Sequence, residues 1–215
     1  MAVSLPNGAV ISIASTYEAA DTMSALTNAD PAVFTATGHG FSEDDIVEVT
    51  SGWSRLNGRI MRVAVTDANT GDLEGFDSTD TTKYPSGSGT GSLRKISAWT
   101  QITQILESTT SGGEQQFTTY AFLEDDTERQ IPTTKSAQVI TLQVADDQAL
   151  PHYAVLVSAD EARTPVAIRV LLPSGAILLY NAYVTINKTP SLTRNEVMAV
   201  QVTLSLSAEA TRYAS

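Results

Sequence analysis

Two histidines are the first candidates for chemistry, because imidazole titrates near neutral pH and is a common metal ligand. His39 lies in the sequence Gly-His-Gly-Phe at residues 38–41, which is typical of a tight turn. His152 lies in a segment that is predicted to be helical. The two are far apart in sequence, and neither has the neighbours of a catalytic triad. We therefore favour structural roles for both histidines.

Three acidic clusters raise the question of a metal site or a catalytic carboxylate pair. Residues 67–72 (DANTGD) partly match a calcium loop, but the twelfth position is Ser78 and no flanking helices are predicted. We interpret this segment as a β-turn. Residues 43–45 (EDD) and 124–126 (EDD) lie in polar segments, where adjacent acids are normally solvated. A glycosidase would need two separated carboxylates in a cleft, and nothing in the sequence identifies such a pair.

Other reactive groups are also missing from the sequence. Residues 87–91 (GSGTG) are rich in glycine, but they follow no strong buried strand, open no helix and lack the lysine of a phosphate-binding loop. The chain has no cysteine, which excludes disulfides, thiolate ligands and cysteine nucleophiles. We therefore predict no catalytic residue, no metal site and no cofactor, and a protein that is not an enzyme.

The composition favours a folded protein that does not hold nucleic acid by charge. Hydrophobic residues make up 42% of the 215 residues and charged residues 17%, which is enough for a packed core. The net charge is −11, and the thirteen Lys and Arg residues are scattered, which opposes phosphate binding. The N-terminal sequence MAVSLPNGAVISIAS has no basic n-region, and no long apolar run occurs. We expect no secretory signal and no membrane insertion, with synthesis in a cytoplasm.

Alternating apolar and polar residues predict an all-β fold. In residues 198–207 (MAVQVTLSLS) apolar side chains alternate with small polar ones, as in a half-buried strand. Two strand-like segments flank the Pro-Ser-Gly turn at residues 173–175, which predicts a hairpin. The other predicted strands and the two arms of this hairpin are residues 8–15, 99–106, 139–144, 166–172 and 176–187.

One short helix is predicted within residues 146–162. Asp146 or Asp147 can cap its N-terminus, and Pro151 falls in the first turn, where a missing N–H is tolerated. We expect one side of this helix to be apolar. The residues on that side are Leu150, Tyr153, Ala154 and Val157. Residues 16–28 are a weaker candidate for a second short helix.

The middle of the chain predicts a separate small domain. Residues 31–96 are rich in Gly, Asp and Thr, and short strand-like runs follow one another closely, with turn signals between them. These runs are residues 33–36, 46–50, 58–65 and 72–75. We interpret residues 31–96 as a small β-barrel inserted into a larger β-sandwich, which is formed by residues 1–30 and 97–215.

A long polar stretch at residues 108–137 predicts a functional or disordered loop, because loops of this length are rarely anything else. It contains Gly112-Gly113, the acidic run at 124–126 and Ile131-Pro132. Residues 116–123 within it have β propensity. We therefore expect a protruding hairpin or arm here.

The order of several segments in residues 97–215 resembles one known family. Residues 99–108, 128–135 (ERQIPTTK), 159–162, 165–175 and 183–192 follow one another as strand, turn after an arm, helix end, hairpin and strand. In this order they resemble the major tail tube protein of phages with long, non-contractile tails. Residues 39–42, 45–47, 56–58 and 68–70 are similar to a small β-barrel module that is common in phage structural proteins.

The resemblance implies that the protein works by assembling with itself. Copies would form six-membered rings whose sheets join edge to edge into a barrel, and the rings would stack through loops and the N-terminal segment. Six copies carry a formal charge of 6 × −11 = −66, so DNA would slide through the lumen without being held. We expect the inserted barrel to lie outside, because a plugged lumen could not conduct DNA.

The resemblance also implies two groups of site residues. The polar sides of two strands are the candidates for the lumen lining: Asn181, Tyr183, Thr185, Asn187, Gln201, Thr203, Ser205 and Ser207. The arm supplies the candidates for contacts between rings: Glu114, Phe117, Tyr120, Phe122, Glu124, Asp125, Asp126 and Arg129.

The partners implied by the family are the tape-measure, tail terminator and tail-tip proteins. The protein would reside in the virion after assembly in the cytoplasm of the bacterial host. Two other functions stay open at this point. One is a virion decoration or receptor-contacting module, which an inserted β-barrel would suit. The other, which ranks far lower, is a carbohydrate-active enzyme.

Overall fold

The protein is built from β-strands and one α-helix, as the computed structural model of residues 7–214 shows. The strands are β1 (Val10–Met23), β2 (Ala25–Leu26), β3 (Ala32–Thr35), β4 (Ile46–Ser51), β5 (Ile60–Val65), β6 (Thr70–Leu73), β7 (Gly91–Ile102), β8 (Ile105–Ser111), β9 (Gln115–Tyr120), β10 (Arg129–Lys135), β11 (Val139–Ala145), β12 (Val166–Leu171), β13 (Ile177–Asn187), β14 (Ala199–Leu206) and β15 (Thr211–Tyr213). The helix α1 is Pro151–Ala162. The predicted all-β class with one short helix is confirmed.

One large sheet runs through the molecule and curls over a core. Its strand order is β2-β3-β6-β5-β4-β7-β1-β12-β13-β14-β11-β8, and β15 pairs with β13. Ile13 and Ile102, from β1 and β7, share a buried cluster with Ile140 and Leu142 of β11, although these strands are far apart in the sheet order. Contact between them requires the sheet to bend round the cluster. Leu156 of α1 lies in the same cluster, so the helix packs on the concave side.

A second core lies among residues 25–95, which we call the small lobe. Phe34, Trp53, Leu56 and Leu73 are buried there. The lobe is continuous with the large sheet, because β4 pairs with residues 91–95 of β7. The expected domain boundary between residues 96 and 97 therefore falls inside β7, and the division of the chain into two domains stays a prediction.

The strand predictions are mostly confirmed, with corrections in three places. β1 continues to Met23, so the weaker prediction of a helix in residues 16–28 is wrong. The strand predicted at residues 99–106 is two strands, because the chain turns at Gln104, whose φ is 59°. Residues 108–111, expected to be loop, belong to β8, where pairing with β11 satisfies the backbone although the side chains are polar.

The helix begins and packs differently from the prediction. Leu150 occupies the N-cap position and no side chain caps the helix, so the prediction of an Asp146 or Asp147 cap is wrong. The Oδ1 atom of Asp147 instead accepts a hydrogen bond from the Ala149 N–H in the turn before the helix. The expected side of Leu150, Tyr153, Ala154 and Val157 is only partly correct, since Tyr153 and Val157 pack against the core but are not fully buried. The buried residues are His152, Leu156 and Ala159.

Candidate assembly surface

Four neighbouring strands, β13, β14, β11 and β8, present a nearly uncharged polar face, and we call them the polar segment. In β13, β14 and β11, alternation sends apolar side chains to the core and the intervening side chains away from it. Strand pairing aligns the outward residues in three rows. The rows are Tyr183-Ser205-Val139-Ser111, Thr185-Thr203-Thr141-Thr109 and Asn187-Gln201-Gln143-Glu107. Only Glu107 in these rows carries a charge.

Most of the predicted lumen residues therefore share one face, but Asn181 does not lie on its exposed surface. Asn181 is 2% exposed, and its amide nitrogen donates to Glu48 Oε1 at 3.1 Å and to the Gly58 carbonyl at 2.8 Å. It is a contact between β13 and the small lobe, so we remove it from the candidate set. Ser207 lies just beyond β14, and its hydroxyl donates to the Asn181 carbonyl at 3.0 Å.

Half of the residues in this polar face were not predicted from the sequence. Thr141 and Gln143 alternate with buried Ile140 and Leu142 in β11, so the sequence pattern could have predicted that their side chains point away from the core. The positions of Thr109 and Glu107 could not be predicted in this way, because β8 has no alternation of apolar and polar residues that would indicate a strand. Only its pairing with β11 identifies their position.

The two border strands of the polar segment each have an open backbone edge within residues 7–214. β8 pairs with β11 alone. Residues 183–187 of β13 pair with β14 alone, since β12 and β15 contact only the earlier part of that strand. An open edge carries backbone donors and acceptors without strand partners, and it is a template for pairing with another chain.

Hydrogen-bond alternation shows which groups of β8 point to its open side. The Ala145 N–H donates to the Gln104 carbonyl at 3.0 Å, so odd-numbered residues of β11 direct their backbone groups toward β8. Thr109 lies opposite one of these residues and therefore points its N–H toward β11. Ser108 and Thr110 consequently point their N–H groups away from β11, toward the open edge of the sheet.

The same reasoning applies to β13. The Ser207 N–H donates to the Asn181 carbonyl at 2.8 Å, so odd-numbered residues of β13 point toward β14. Val184 and Ile186 therefore direct their backbone groups to the open side. The strands of the polar segment are antiparallel and four in number, so its two borders run in opposite directions. A β8 edge placed against a β13 edge of another copy would continue the antiparallel sheet.

The predicted arm is a hairpin that projects from the end of β8 and β11. β9 and β10 pair with each other and form a separate two-stranded sheet. Gly112 and Gly113, both with φ near 80°, connect it to β8, and all residues of β10 are exposed. The residues predicted to make contacts between rings all lie in this arm: Glu114, Phe117, Tyr120, Phe122, Glu124, Asp125, Asp126 and Arg129. The hairpin prediction is confirmed, and the role of these residues stays a prediction.

Both histidines are buried in packing positions. His39 stacks on Phe41 with ring centroids 4.7 Å apart, and its Nδ1 accepts a hydrogen bond from the Phe41 N–H at 3.0 Å. His152 is 2% exposed and lies 3.4 Å from the Thr103 hydroxyl. Burial lowers the pKa of His152, and the charge of Asp147 partly opposes this. The two side chains belong to different parts of the molecule and share no site.

The acidic clusters are engaged in local structure. Asp67 accepts hydrogen bonds from the N–H groups of Asn69 and Thr70 in the β5–β6 turn, and these bonds lower its pKa. Asp45 pairs with Lys95 at 2.6 Å. Asp125, at the arm tip, pairs with Arg129 at 2.8 Å. Over residues 7–214, no group of three or more His, Cys, Asp or Glu side chains is placed to hold a metal ion.

The glycine-rich segment 87–91 packs on Trp53 within the small lobe and forms no phosphate site. A Cβ at Gly89 would lie 2.9 Å from the Trp53 ring, so the absence of a side chain allows close contact. The Trp53 indole N–H donates to the Pro85 carbonyl at 2.8 Å. In the part of the chain that the structure describes, no helix is both long and apolar enough to cross a membrane.

The chain is similar to a known protein family. A family model described as phage tail tube protein matches residues 51–215. The match begins at the last residue of β4 and includes the polar segment, the arm and α1. No curated protein matches the chain.

Proposed function

The chain belongs to the phage tail tube protein family, and we propose that six copies join into rings that stack into the tube of a long, non-contractile tail. Family membership makes the protein a structural component of the virion tail. The observation that carries the finer proposal is the pair of open, oppositely running edges on the polar segment. The ring number comes from the family resemblance alone.

Ring closure would use these two edges. Ser108 and Thr110 of one copy would exchange backbone hydrogen bonds with Val184 and Ile186 of the next copy. Each such bond contributes about 0.5–1.5 kcal/mol, and leaving the groups buried without a partner costs more, so closure favours complete pairing. A closed ring has no open edge left, which removes the risk of uncontrolled association.

The polar face suits the inner wall of a conduit for DNA. Its rows are Thr, Ser, Asn and Gln with one Tyr, one Val and one Glu, and they contain no Lys or Arg that would neutralise phosphates. The net charge of −11 per copy adds repulsion. We therefore propose that genomic DNA passes along this face without specific contacts.

The curl of the sheet supports an outward position for the small lobe. The lobe covers the convex side of β1 and β12, where Ala14 and Ala167 pack on Ile60. The polar face is the convex side of the other half of the curled sheet. Because the two halves bend round a shared core, their convex sides turn away from each other. If the polar face lines the lumen, the lobe then lies on the outside of the tube.

Other tail proteins complete the proposal. A tape-measure protein would set the tube length, and terminator and tail-tip proteins would close its ends, as the family resemblance implies. Assembly would take place in the cytoplasm of the bacterial host. The N-terminal segment, which the resemblance assigns to ring stacking, includes residues 1–6, which lie outside the described residues.

Electron microscopy of the purified protein tests the proposal. We expect rings or tubes from the wild-type chain, and none from Thr110→Pro, because proline removes the outward N–H of the β8 edge. Thr110→Ala is the matched control, since it shortens the same side chain but keeps the N–H, and we expect normal rings. Circular dichroism should show that both variants fold.

Two results would contradict the proposal. Wild-type protein that stays monomeric or trimeric at high concentration would favour a decoration or receptor-contacting module. Absence of the protein from the tail shaft of its phage, as seen by antibody labelling, would reject the tube itself.

A further inference from the structure

The exposed apolar side chains of the protein are concentrated in two places. Of the ten large apolar residues that are exposed within residues 7–214, seven lie either in the arm or in residues 188–198, which we call the end loop. Those in the arm are Phe117, Phe122, Leu123 and Ile131. Those in the end loop are Leu192, Val197 and Met198. Apolar groups that cluster on a surface in this way mark interaction sites.

These two places lie at opposite ends of the polar segment. The arm continues from Ser111 of β8 and Val139 of β11, which are paired at one end of the segment. The end loop joins Asn187 of β13 to the start of β14, at the other end. The strands between the two ends span about 20 Å and separate the base of the arm from the loop. The two apolar sites of one copy therefore do not contact each other.

The arm lacks the support that would hold its apolar residues in place within one copy. A lone two-stranded hairpin is marginally stable in water. The tip has only local contacts: Tyr120 and Phe122 rings lie 5.5 Å apart, and the Arg129 guanidinium lies 5.9 Å from the Phe122 ring. Leu123 is 106% exposed, more than any other large apolar residue in the part of the chain that the structure describes. A partner surface is needed to bury it.

The charges of the two sites have opposite signs. Residues 114–135 of the arm contain five acidic and two basic residues, which gives 2 − 5 = −3. The end loop contains Lys188, Arg194 and Glu196, which gives 2 − 1 = +1. Lys188 already pairs with Glu161 of α1 at 3.3 Å, so Arg194 is the end-loop residue that would attract the acidic arm tip before the apolar residues meet.

We propose that the arm tip of one copy docks on the end loop of a second copy in the next ring, with Phe122 and Leu123 packed against Leu192, Val197 and Met198. Stacking along the strand direction brings opposite ends of the polar segment together. The arm extends well beyond the end of the polar segment, since the six residues of β9 span about 20 Å in β conformation. This inference rests on the proposed function, because it requires rings that stack.

Cross-linking between two single-cysteine proteins tests the docking. Because the chain has no native cysteine, only the introduced residues can react. Leu123→Cys protein is mixed with Val197→Cys protein under assembly conditions, and a short bis-maleimide reagent is added. We expect a covalent dimer between the two variants, with the linked peptides identified by mass spectrometry. The control mixes the Leu123→Cys protein with a Thr81→Cys protein, since Thr81 is an exposed residue of the small lobe. This mixture should give no cross-linked dimer.

The outcomes separate this inference from the proposed function. Tubes that form normally but give no cross-link above the control, or a cross-link from residue 123 to another site, overturn the docking alone. Protein that forms no rings or tubes overturns both. If Val197→Cys prevents folding, Thr193→Cys replaces it in the same loop. Leu123→Ser should weaken stacking about tenfold if the leucine becomes buried, and leave it unchanged if it does not.

Discussion

The small lobe and the arm use the same kinds of residue for opposite purposes. In the lobe, Trp53 is 1% exposed and packs against Tyr84, with ring centroids 5.2 Å apart. In the arm, the side chain of Phe117 is 55% exposed and that of Leu123 is fully exposed. An aromatic residue that is buried by its own chain stabilises a monomer, whereas one that is left exposed at the end of a hairpin can be buried only by another molecule.

Polar groups show the same difference. In and beside the lobe, Arg62 pairs with Glu74 and Asp44, and Arg94 pairs with Glu48. In the polar segment, the N–H groups of Ser108, Thr110 and their counterparts on β13 have no strand partner within residues 7–214. The groups of the lobe therefore find their partners within one chain, whereas we propose that further copies complete the polar segment and the arm.

Removing the arm is the strongest way to break this comparison. We expect deletion of residues 114–135, with Gly113 joined to Ser136, to abolish tubes, because the deletion removes the surface proposed to connect rings. Gly113 and Ser136 are already hydrogen bonded at 3.2 Å, so the join needs little rearrangement. Single rings should remain, and electron microscopy would show them.

A matched control distinguishes loss of contact from loss of fold. Deletion of residues 118–131 shortens the same hairpin and keeps its base. This shorter arm should fold equally well and also fail to stack, since it lacks the exposed tip. Tubes of normal length from either deletion would show that the arm is not the stacking element, and loss of rings would show that it also supports the ring.

Shortening the central aromatic residue of the lobe sharpens the other side of the comparison. Trp53→Ala should lower the free energy of unfolding of the monomer by about 3–5 kcal/mol, because it leaves a large cavity in a buried core. Leu192→Ala in the end loop, which is 79% exposed, should change it by less than about 0.5 kcal/mol. Urea unfolding monitored by circular dichroism measures both. Similar decreases in the free energy of unfolding from the two substitutions would show that the end loop supports the monomer as much as the core of the lobe does.

The sequence predicted the regions in which burial imposes a pattern. The alternation of Val202 and Leu204 with Gln201 and Thr203 identified β14 and its polar side correctly. The hairpin of β12 and β13 followed from its turn residues in the same way. In each of these strands the core side is covered, so the side chains must alternate.

The sequence could not reveal features that depend on strands far apart in the chain. β8 is an edge strand without buried alternation, so pairing with β11 is its only signature. Asn181 continues the polar pattern of β13, but the small lobe folds back over it and its amide bonds to Glu48. The helix face was misjudged because His152, a polar residue, packs inward beside Thr103. Tertiary contacts decided each of these positions.

The smallest expected effect concerns the pH dependence of stability at His152. Burial lowers the pKa of this histidine below its ordinary value of 6.5, so the unfolded chain binds a proton more readily than the folded chain. The free energy of unfolding should therefore be level above pH 6.5 and should fall as the pH decreases from there toward the folded pKa. His152→Gln removes this group and leaves the other side chains unchanged. Urea unfolding of single copies at a series of pH values should show a steeper decline for the wild-type chain than for the variant. Parallel curves would mean that His152 binds a proton equally well in the folded and the unfolded chain. The buried side of α1 would then be more accessible to water than the core of the small lobe.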